Sequence, residues 1–325
     1  MRVFITGAGG FIGGALAARL RSEGHAVAGV DLAPSAGVVA GDVSRRGDWQ
    51  AAADGAHVVV HTAALVSNVP TMAQAWRVNT LGTRNALDAA ARGGAKRFVY
   101  LSSVRAFSDV GFPDGVTEDH PVRPDGNSYV DTRIACEQVV LQAHAAGEIP
   151  VTVVRPGDVY GPGSRPWTLL PLELIKRNRF LLPAMGRGVF SPVYVDDLVA
   201  GVLRAATHDA GAGQVFTIGG GVGVTCREFF AHYYRMLGKA GPPVLPTPVA
   251  LALTGAAAAL ARATRTDSEI NPVAVRYFTR TGTYSIAKAR RLLAYEPAVD
   301  LAEGMSRTRS WLAAQGLVPT GPTGP

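Results

Sequence analysis

The sequence predicts an α/β fold, a doubly wound parallel sheet followed by a smaller C-terminal lobe. Three observations lead there. Short apolar runs of strand length alternate with helically spaced segments from the first residue onward. A glycine-rich turn, Thr6-Gly7-Ala8-Gly9-Gly10-Phe11-Ile12-Gly13, joins the first such run to the first helical segment. Beyond about residue 156 the alternation breaks, and Pro and Gly cluster in Arg155-Pro156-Gly157-Asp158-Val159-Tyr160-Gly161-Pro162-Gly163.

In chain order, Arg2–Thr6 reads as a strand, Phe11–Glu23 as a helix and Ala26–Asp31 as a second strand. Val58–Ala63, Phe98–Ser102 and Val151–Arg155 are further strand-length apolar runs, separated by helical patterns over Ala75–Arg92 and Asn127–Ala146. Continuous apolar strands between helices imply a parallel sheet covered on both faces. The expected organisation is a first domain over 1–155 and a second lobe, mainly substrate-binding, over 156–318. Segments near Tyr194–Ala206 and Gln214–Gly219 are expected to return to the main sheet, and 319–325 to form a disordered tail.

Composition narrows the function classes. The chain has 325 residues, is 47% hydrophobic and carries a formal charge of +7. Its basic residues are scattered, with only short pairs such as Arg45–Arg46 and Arg290–Arg291, so a solvated basic surface is expected and a nucleic-acid partner is not. The two cysteines, Cys136 and Cys226, have no metal-ligand spacing; no metal is expected, and a reducing cytoplasm is. The apolar N-terminus reads as strand, loop and helix rather than as a signal peptide. Val249–Ala261 is too short and Ala-rich to span a bilayer.

The glycine turn carries chemistry. Gly7 permits a tight turn, Gly10 lets the backbone approach a pyrophosphate, and Gly13 lets helix and strand pack closely. Phe11 and Ile12 open the helix, whose free N–H groups and partial positive charge face the phosphates. Asp31 ends the second strand, 18 residues past Gly13. A carboxylate there accepts hydrogen bonds from ribose hydroxyls and repels a 2′-phosphate, so NAD rather than NADP is the expected cofactor. Asp42 and Val43 are placed to meet the adenine edge, although Gly-Asp is also ordinary turn chemistry.

With the Gly7, Gly10, Gly13 spacing, further motifs fall in order: His61-Thr62-Ala63-Ala64, Asn79 in Arg77-Val78-Asn79-Thr80-Leu81-Gly82-Thr83, Tyr100-Leu101-Ser102-Ser103, Tyr129, the Arg155–Gly163 run, and Val195-Asp196-Asp197-Leu198. Together they resemble the extended short-chain dehydrogenase/reductase family, the NAD-dependent epimerase/dehydratase superfamily, over essentially residues 1–312. The resemblance implies a Rossmann-type first domain in which Thr62, Ala63, Ala64, Asn79, Pro156 and Val159 contribute to the cofactor site. It also implies Tyr129 as acid/base and Ser103 as the group that holds the substrate oxygen. A tyrosine, with a reference pKa near 10, needs a nearby positive charge for such work near neutrality. The family supplies a Lys four residues later, which also grips the cofactor ribose; here Arg133 stands in that place. Arg keeps the charge, but its planar fork donates in fixed directions.

The same resemblance bears on the reaction. Sugar dehydratases of the family carry an Asp-Glu pair where this chain has Val104 and Arg105. Nucleotide-sugar enzymes place an Asn near Asp158, where a carboxylate would repel a diphosphate, and an Arg where this chain has Phe190. These departures, with the Pro246–Ala261 stretch and Ser285–Arg290, are similar to the 3β-hydroxysteroid dehydrogenase-like branch. The expected activity is NAD-dependent interconversion of a secondary alcohol and a ketone on a bulky, largely apolar small molecule. Tyr160, Phe190 and Tyr194 are either pocket wall or core. A nucleotide-sugar 4-epimerase and an NAD-binding regulatory protein are the competing readings. The two long helices suggest a homodimer by analogy.

Overall fold

The computed structural model describes residues 1–109, 113–264 and 272–320. The strands are β1 (Arg2–Thr6), β2 (Ala26–Asp31), β3 (Val38–Ala40), β4 (Val58–His61), β5 (Arg97–Leu101), β6 (Val151–Pro156), β7 (Asp158–Tyr160), β8 (Val189–Phe190), β9 (Pro192–Tyr194), β10 (Gln214–Ile218) and β11 (Val224–Thr225). Seven of them form one sheet in the order β10-β6-β5-β4-β1-β2-β3, with every pair parallel. The strand order reverses between β1 and β4, and a crevice opens outside the carboxyl ends of strands at such a point.

The side-chain alternation explains the two-layer cover. Val3 and Ile5 of β1, Val58 and Val60 of β4, and Val99 and Leu101 of β5 join one buried core. Phe4, Val59, Phe98 and Tyr100 join the other. Successive residues of a strand point to opposite faces, so strands apolar at every position need helices on both sides. Helices Phe11–Ser22 and Val195–Thr207 pack together on one face, and Gly82–Arg92 and Ser128–Ala145 on the other.

Two helices depart in detail from the sequence expectation. The helix expected from Ala75 begins at Met72, because Thr71 and Gln74 form a reciprocal capping box. It then passes through a π-helical turn, Trp76–Leu81, before regular helix resumes at Gly82. The helix expected at Asn127–Ala146 runs Ser128–Ala145, with the Asn127 side chain accepting from the backbone N–H of Tyr129 and Val130. That cap fixes Tyr129 in the first turn.

Past β6, Trp167, Phe180, Phe190, Phe229 and Phe230 form an aromatic cluster continuous with the core that holds Val3 and Ile5, with Phe190 and Phe229 centroids 4.1 Å apart. Gln214–Ile218 adds the edge strand beside β6. Both cysteines are buried free thiols. Among the described residues no helix is long and apolar enough to cross a membrane, and no His/Cys/Asp/Glu group could hold a metal. From residue 321 the expected tail lies outside the described residues.

One buried ion pair ties the Ser128–Ala145 helix to the sheet. Arg155 on β6 donates from Nε and Nη2 to Glu137 at 2.9 and 2.6 Å, and Ser102 donates its hydroxyl to the same carboxylate at 2.5 Å. Breaking one partner strands a charge in the core, whereas replacing both does not. Glu137→Gln is therefore expected to lower the unfolding free energy by about 3–5 kcal/mol in urea titration. The double change Glu137→Leu with Arg155→Leu should recover most of that loss. A single-variant loss below about 1 kcal/mol would contradict the assignment.

Candidate active site

The loop after β1 is shaped by what a Cβ would strike. Gly7 has φ +70°, and a Cβ on it would lie 2.8 Å from the Ala63 nitrogen. A Cβ on Gly13 would lie 2.1 Å from the Gly7 carbonyl oxygen. Gly10 donates its N–H to that same carbonyl at 3.0 Å and precedes the helix that Phe11 and Ile12 begin, with no side-chain cap on the first turn. The first-turn N–H groups are thus left for a ligand. The Asp31 carboxylate accepts from Gly9 N at 2.9 Å and Leu32 N at 2.7 Å, which holds it beside the loop. Asp42 is exposed and accepts from Ser44 N at 2.9 Å, while Val43 is buried against Gly82. This cradle fits a dinucleotide: glycine is required at the close approaches, and the carboxylate stands at the end of β2.

β4 supplies the opposite wall. Thr62 donates its hydroxyl to the Thr6 carbonyl at 2.7 Å, and Ala63 and Ala64 follow half-buried. Asn79 is buried, but its amide is engaged within the protein. Its Oδ1 accepts from Leu65 N at 2.8 Å, and its Nδ2 donates to the Thr132 hydroxyl at 2.9 Å. It therefore joins the loop after β4 to the helix carrying Tyr129. Pro156 ends β6, and Val159 is buried in β7.

His61 sits beneath this wall in a chain whose donors can be ordered. Thr83 donates its hydroxyl to the Asn79 carbonyl at 2.7 Å, so its oxygen accepts from His61 Nε2 at 3.1 Å. His61 Nδ1 then accepts the Thr6 hydroxyl at 2.6 Å. This network assigns the neutral Nε2–H tautomer. Burial, then the Arg133 charge, push the imidazole down to about 3.

Arg133 brings the ring of Tyr129 to the carboxyl end of β5, and Ser103 lies two residues past that end. All three are buried. Arg133 donates from Nη1 to the Leu101 carbonyl and the Tyr100 hydroxyl, both at 3.1 Å, and its guanidinium lies 5.0 Å from the Tyr129 ring centre. Its Nε is buried with no hydrogen-bond partner among the described residues. Burial holds the Tyr100 phenol well above its usual range, so Tyr100 stays neutral and leaves the cation uncompensated. The Ser103 hydroxyl accepts from Arg105 N at 3.2 Å.

Sequence reasoning missed the arginines around this centre. Arg105 pairs with Asp109 at 2.5 Å, and its guanidinium lies 5.4 Å from the Tyr129 ring. Arg280 pairs with Asp158 at 2.8 Å and lies 3.8 Å from the Tyr277 ring, and the Tyr277 hydroxyl also donates to Asp158. Asp158 is thus not the free anion that the sequence suggested. Its repulsion of a diphosphate is offset by a guanidinium 122 positions away, and no local pattern announces that partner. Arg133, by contrast, has no carboxylate in ion-pair reach among the described residues.

Three further expectations meet the packing. Phe190 is wholly buried among Trp167, Phe229 and Phe230, and Tyr160 is buried edge-on to Tyr194 and Phe229. Tyr194 is buried as well. These rings are core rather than the wall of an open cavity. A cavity of 310 Å³ lies instead beside Asn68, Asp109, Asn127, Ser128 and Arg276, next to the Arg105 pair.

Comparison with known proteins matches residues 3–219 to the description "NAD dependent epimerase/dehydratase family". A 3 beta-hydroxysteroid dehydrogenase/Delta 5-->4-isomerase of Mycobacterium tuberculosis is 28% identical, over 91% of this chain and 86% of that protein. A 4-hydroxy-2-methyl-3-oxo-4-farnesyl-3,4-dihydroquinoline-1-oxide ketoreductase of Stigmatella aurantiaca is 30% identical, over 98% and 99%. Among solved structures, MoeE5 in complex with UDP-glucose and NAD superposes with a TM-score of 0.78 at 24% identity, over 97% and 99% of the two chains.

The His61 environment predicts a pH dependence of stability. The folded state holds this imidazole neutral down to about 3, whereas the unfolded chain protonates it near the 6.5 reference value. The unfolded state therefore binds more protons between those values, and stability falls as pH falls through that window. At pH 5 the loss from this group is about 2 kcal/mol. Urea unfolding of the wild type and His61→Gln at pH 7 and pH 5 should show a smaller drop in the variant. Equal drops would contradict the buried neutral imidazole.

Proposed function

The chain belongs to the NAD dependent epimerase/dehydratase family, and from that premise we propose that it interconverts a secondary alcohol and a ketone on a bulky, largely apolar substrate. That it is an NAD-dependent enzyme of the short-chain oxidoreductase/epimerase type follows from the family. The observation that carries the finer reading is the buried set at the end of β5, where an uncompensated guanidinium faces the ring of Tyr129. The names of the steroid dehydrogenase and ketoreductase relatives point to the same chemistry, and they weigh against a regulatory protein with little catalysis.

In this reading the first-turn N–H groups of Phe11 and Ile12, with Gly7, Gly10 and Gly13, hold the pyrophosphate of NAD. Asp31 takes the adenosine ribose hydroxyls, and Asp42 and Val43 meet the adenine. Thr62, Ala63, Ala64, Pro156 and Val159 flank the remainder, and Asn79 acts by fixing the loop and helix it joins. Bound NAD supplies the hydride acceptor. Ser103 holds the substrate oxygen through its hydroxyl. Tyr129 takes the alcohol proton at its phenolic oxygen. Arg133, fixed by Leu101 and Tyr100, stabilises the negative charge that this oxygen bears before it takes the proton, and that returns to it when the reaction runs as a reduction. Residues 156–318 mainly shape the substrate side. The exposed Met72, Trp76 and Leu81 on the helical segment before Gly82 support a homodimer, and two free thiols suit a reducing cytoplasm.

A second reading, a nucleotide-sugar 4-epimerase, is favoured by one observation: the Arg280 pair removes the objection to a diphosphate near Asp158. NADH absorbance distinguishes the two. With NAD and a 3β-hydroxysteroid, NADH should accumulate, and NADP should serve less well. An isomerised nucleotide sugar without accumulated NADH would establish the epimerase instead. Tyr129→Phe should lower kcat/KM about 100- to 10,000-fold while NAD still binds. Arg133→Lys should retain or raise turnover, and its complete loss would contradict the role given to the charge.

A further inference from the structure

Arg105 is not explained by cofactor binding or by the Tyr129 proton step. It lies on the single turn Val104–Phe107, two residues past Ser103. Its guanidinium sits between two rings, 5.4 Å from Tyr129 and 5.3 Å from Tyr277. It is held rigidly: Nε donates to Asp109 Oδ1 at 3.0 Å, Nη2 to Asp109 Oδ2 at 2.5 Å, and Nη1 to Asn68 Oδ1 at 3.1 Å. Both partners line the 310 Å³ cavity. A guanidinium has five N–H donors and no acceptor, so among the described residues these three bonds leave two donors on a group 5.4 Å from the Tyr129 ring.

Charge decides what those donors can take. The Arg105–Asp109 pair is neutral overall, with side chains 11% and 3% exposed. The cavity beside it adds Asp125 and Arg276, so the surroundings as a whole carry no net charge. A substrate carboxylate would bring an unbalanced charge into this balanced, half-buried lining, whereas a neutral carbonyl oxygen would accept a charge-assisted hydrogen bond and leave the balance unchanged.

We propose that Arg105 is a specificity-determining residue that binds a neutral carbonyl oxygen carried two carbons from the reacting carbinol or ketone carbon. The enzyme then prefers β-oxygenated ketones, such as β-keto esters, over plain ketones of the same skeleton. This rests on the alcohol–ketone reading above.

The test compares reduction of 1-tetralone with that of its 2-carboxylic methyl ester by NADH, reading kcat and KM for each. Removing Arg105 alone would strand the buried Asp109 carboxylate, so the variant is Arg105→Met combined with Asp109→Asn, and retained NADH binding checks its fold. Arg105→Lys, which keeps the charge and changes the fork, is the second variant. The ester-to-ketone ratio of kcat/KM should fall about 10- to 100-fold in the double variant and by less in Arg105→Lys. The loss should sit mainly in KM for the ester. A ratio unchanged within about threefold, with both substrates slowed alike, would show that Arg105 only packs against Tyr129 and would overturn the proposal. A wild type that reduces neither ketone while it oxidises a 3β-hydroxysteroid overturns the proposal alone, and one inert on all three overturns the alcohol–ketone reading with it.

Discussion

The site depends on one buried cation, the Arg133 guanidinium lodged between the end of β5 and the ring of Tyr129. An ion moved from water into a protein interior costs several kcal/mol unless the interior replaces its hydration. Here the Leu101 carbonyl and the Tyr100 hydroxyl accept from Nη1, and the rings of Tyr100 and Tyr129 lie 5.9 and 5.0 Å from the guanidinium carbon. Cation–π contacts contribute about 2 kcal/mol when desolvated. Among the described residues no carboxylate completes the compensation. The charge that remains is available to a developing anion, and it also helps to keep His61 neutral.

The surrounding arginines follow the opposite rule. Arg105, Arg155 and Arg280 each lie against a carboxylate, Asp109, Glu137 and Asp158. These pairs give rigidity without a net field. Glu137 and Arg155 tie the helix of Tyr129 to β6, and Asp158 and Arg280 tie the segment after Pro272 to β7. The frame around Tyr129 is therefore close to neutral, so one unpaired charge has a large effect there. The same neutrality changes the argument about substrate: Asp158 does not by itself exclude a diphosphate, and apolar preference rests on other features.

Much of the fold was legible because it is local or periodic. Val3 and Ile5 facing one core and Phe4 the other follow from strand geometry. The glycines of the β1 loop read directly, because a Cβ at Gly13 meets the Gly7 carbonyl. The approach of Arg133 to the end of β5 was expected only through the order of motifs. Arg133 reaches Leu101 across 32 positions, and no periodicity measures such a contact. Arg280 was invisible for the same reason. The Arg105–Asp109 pair at i,i+4 was local enough to read, but nothing in sequence places it against Tyr129. Phe190 and Tyr160 show the converse limit: an aromatic residue near a motif reads as pocket or core until its neighbours are known.

The most direct test of the Arg133 assignment is a double-mutant cycle on kcat/KM for a 3β-hydroxysteroid, combining Tyr129→Phe with Arg133→Met. If the guanidinium acts through the Tyr129 oxygen, Arg133→Met should cost far more in the wild type than in the Phe background, where that oxygen is gone. Equal costs in both backgrounds would mean that Arg133 acts elsewhere, and would contradict the account.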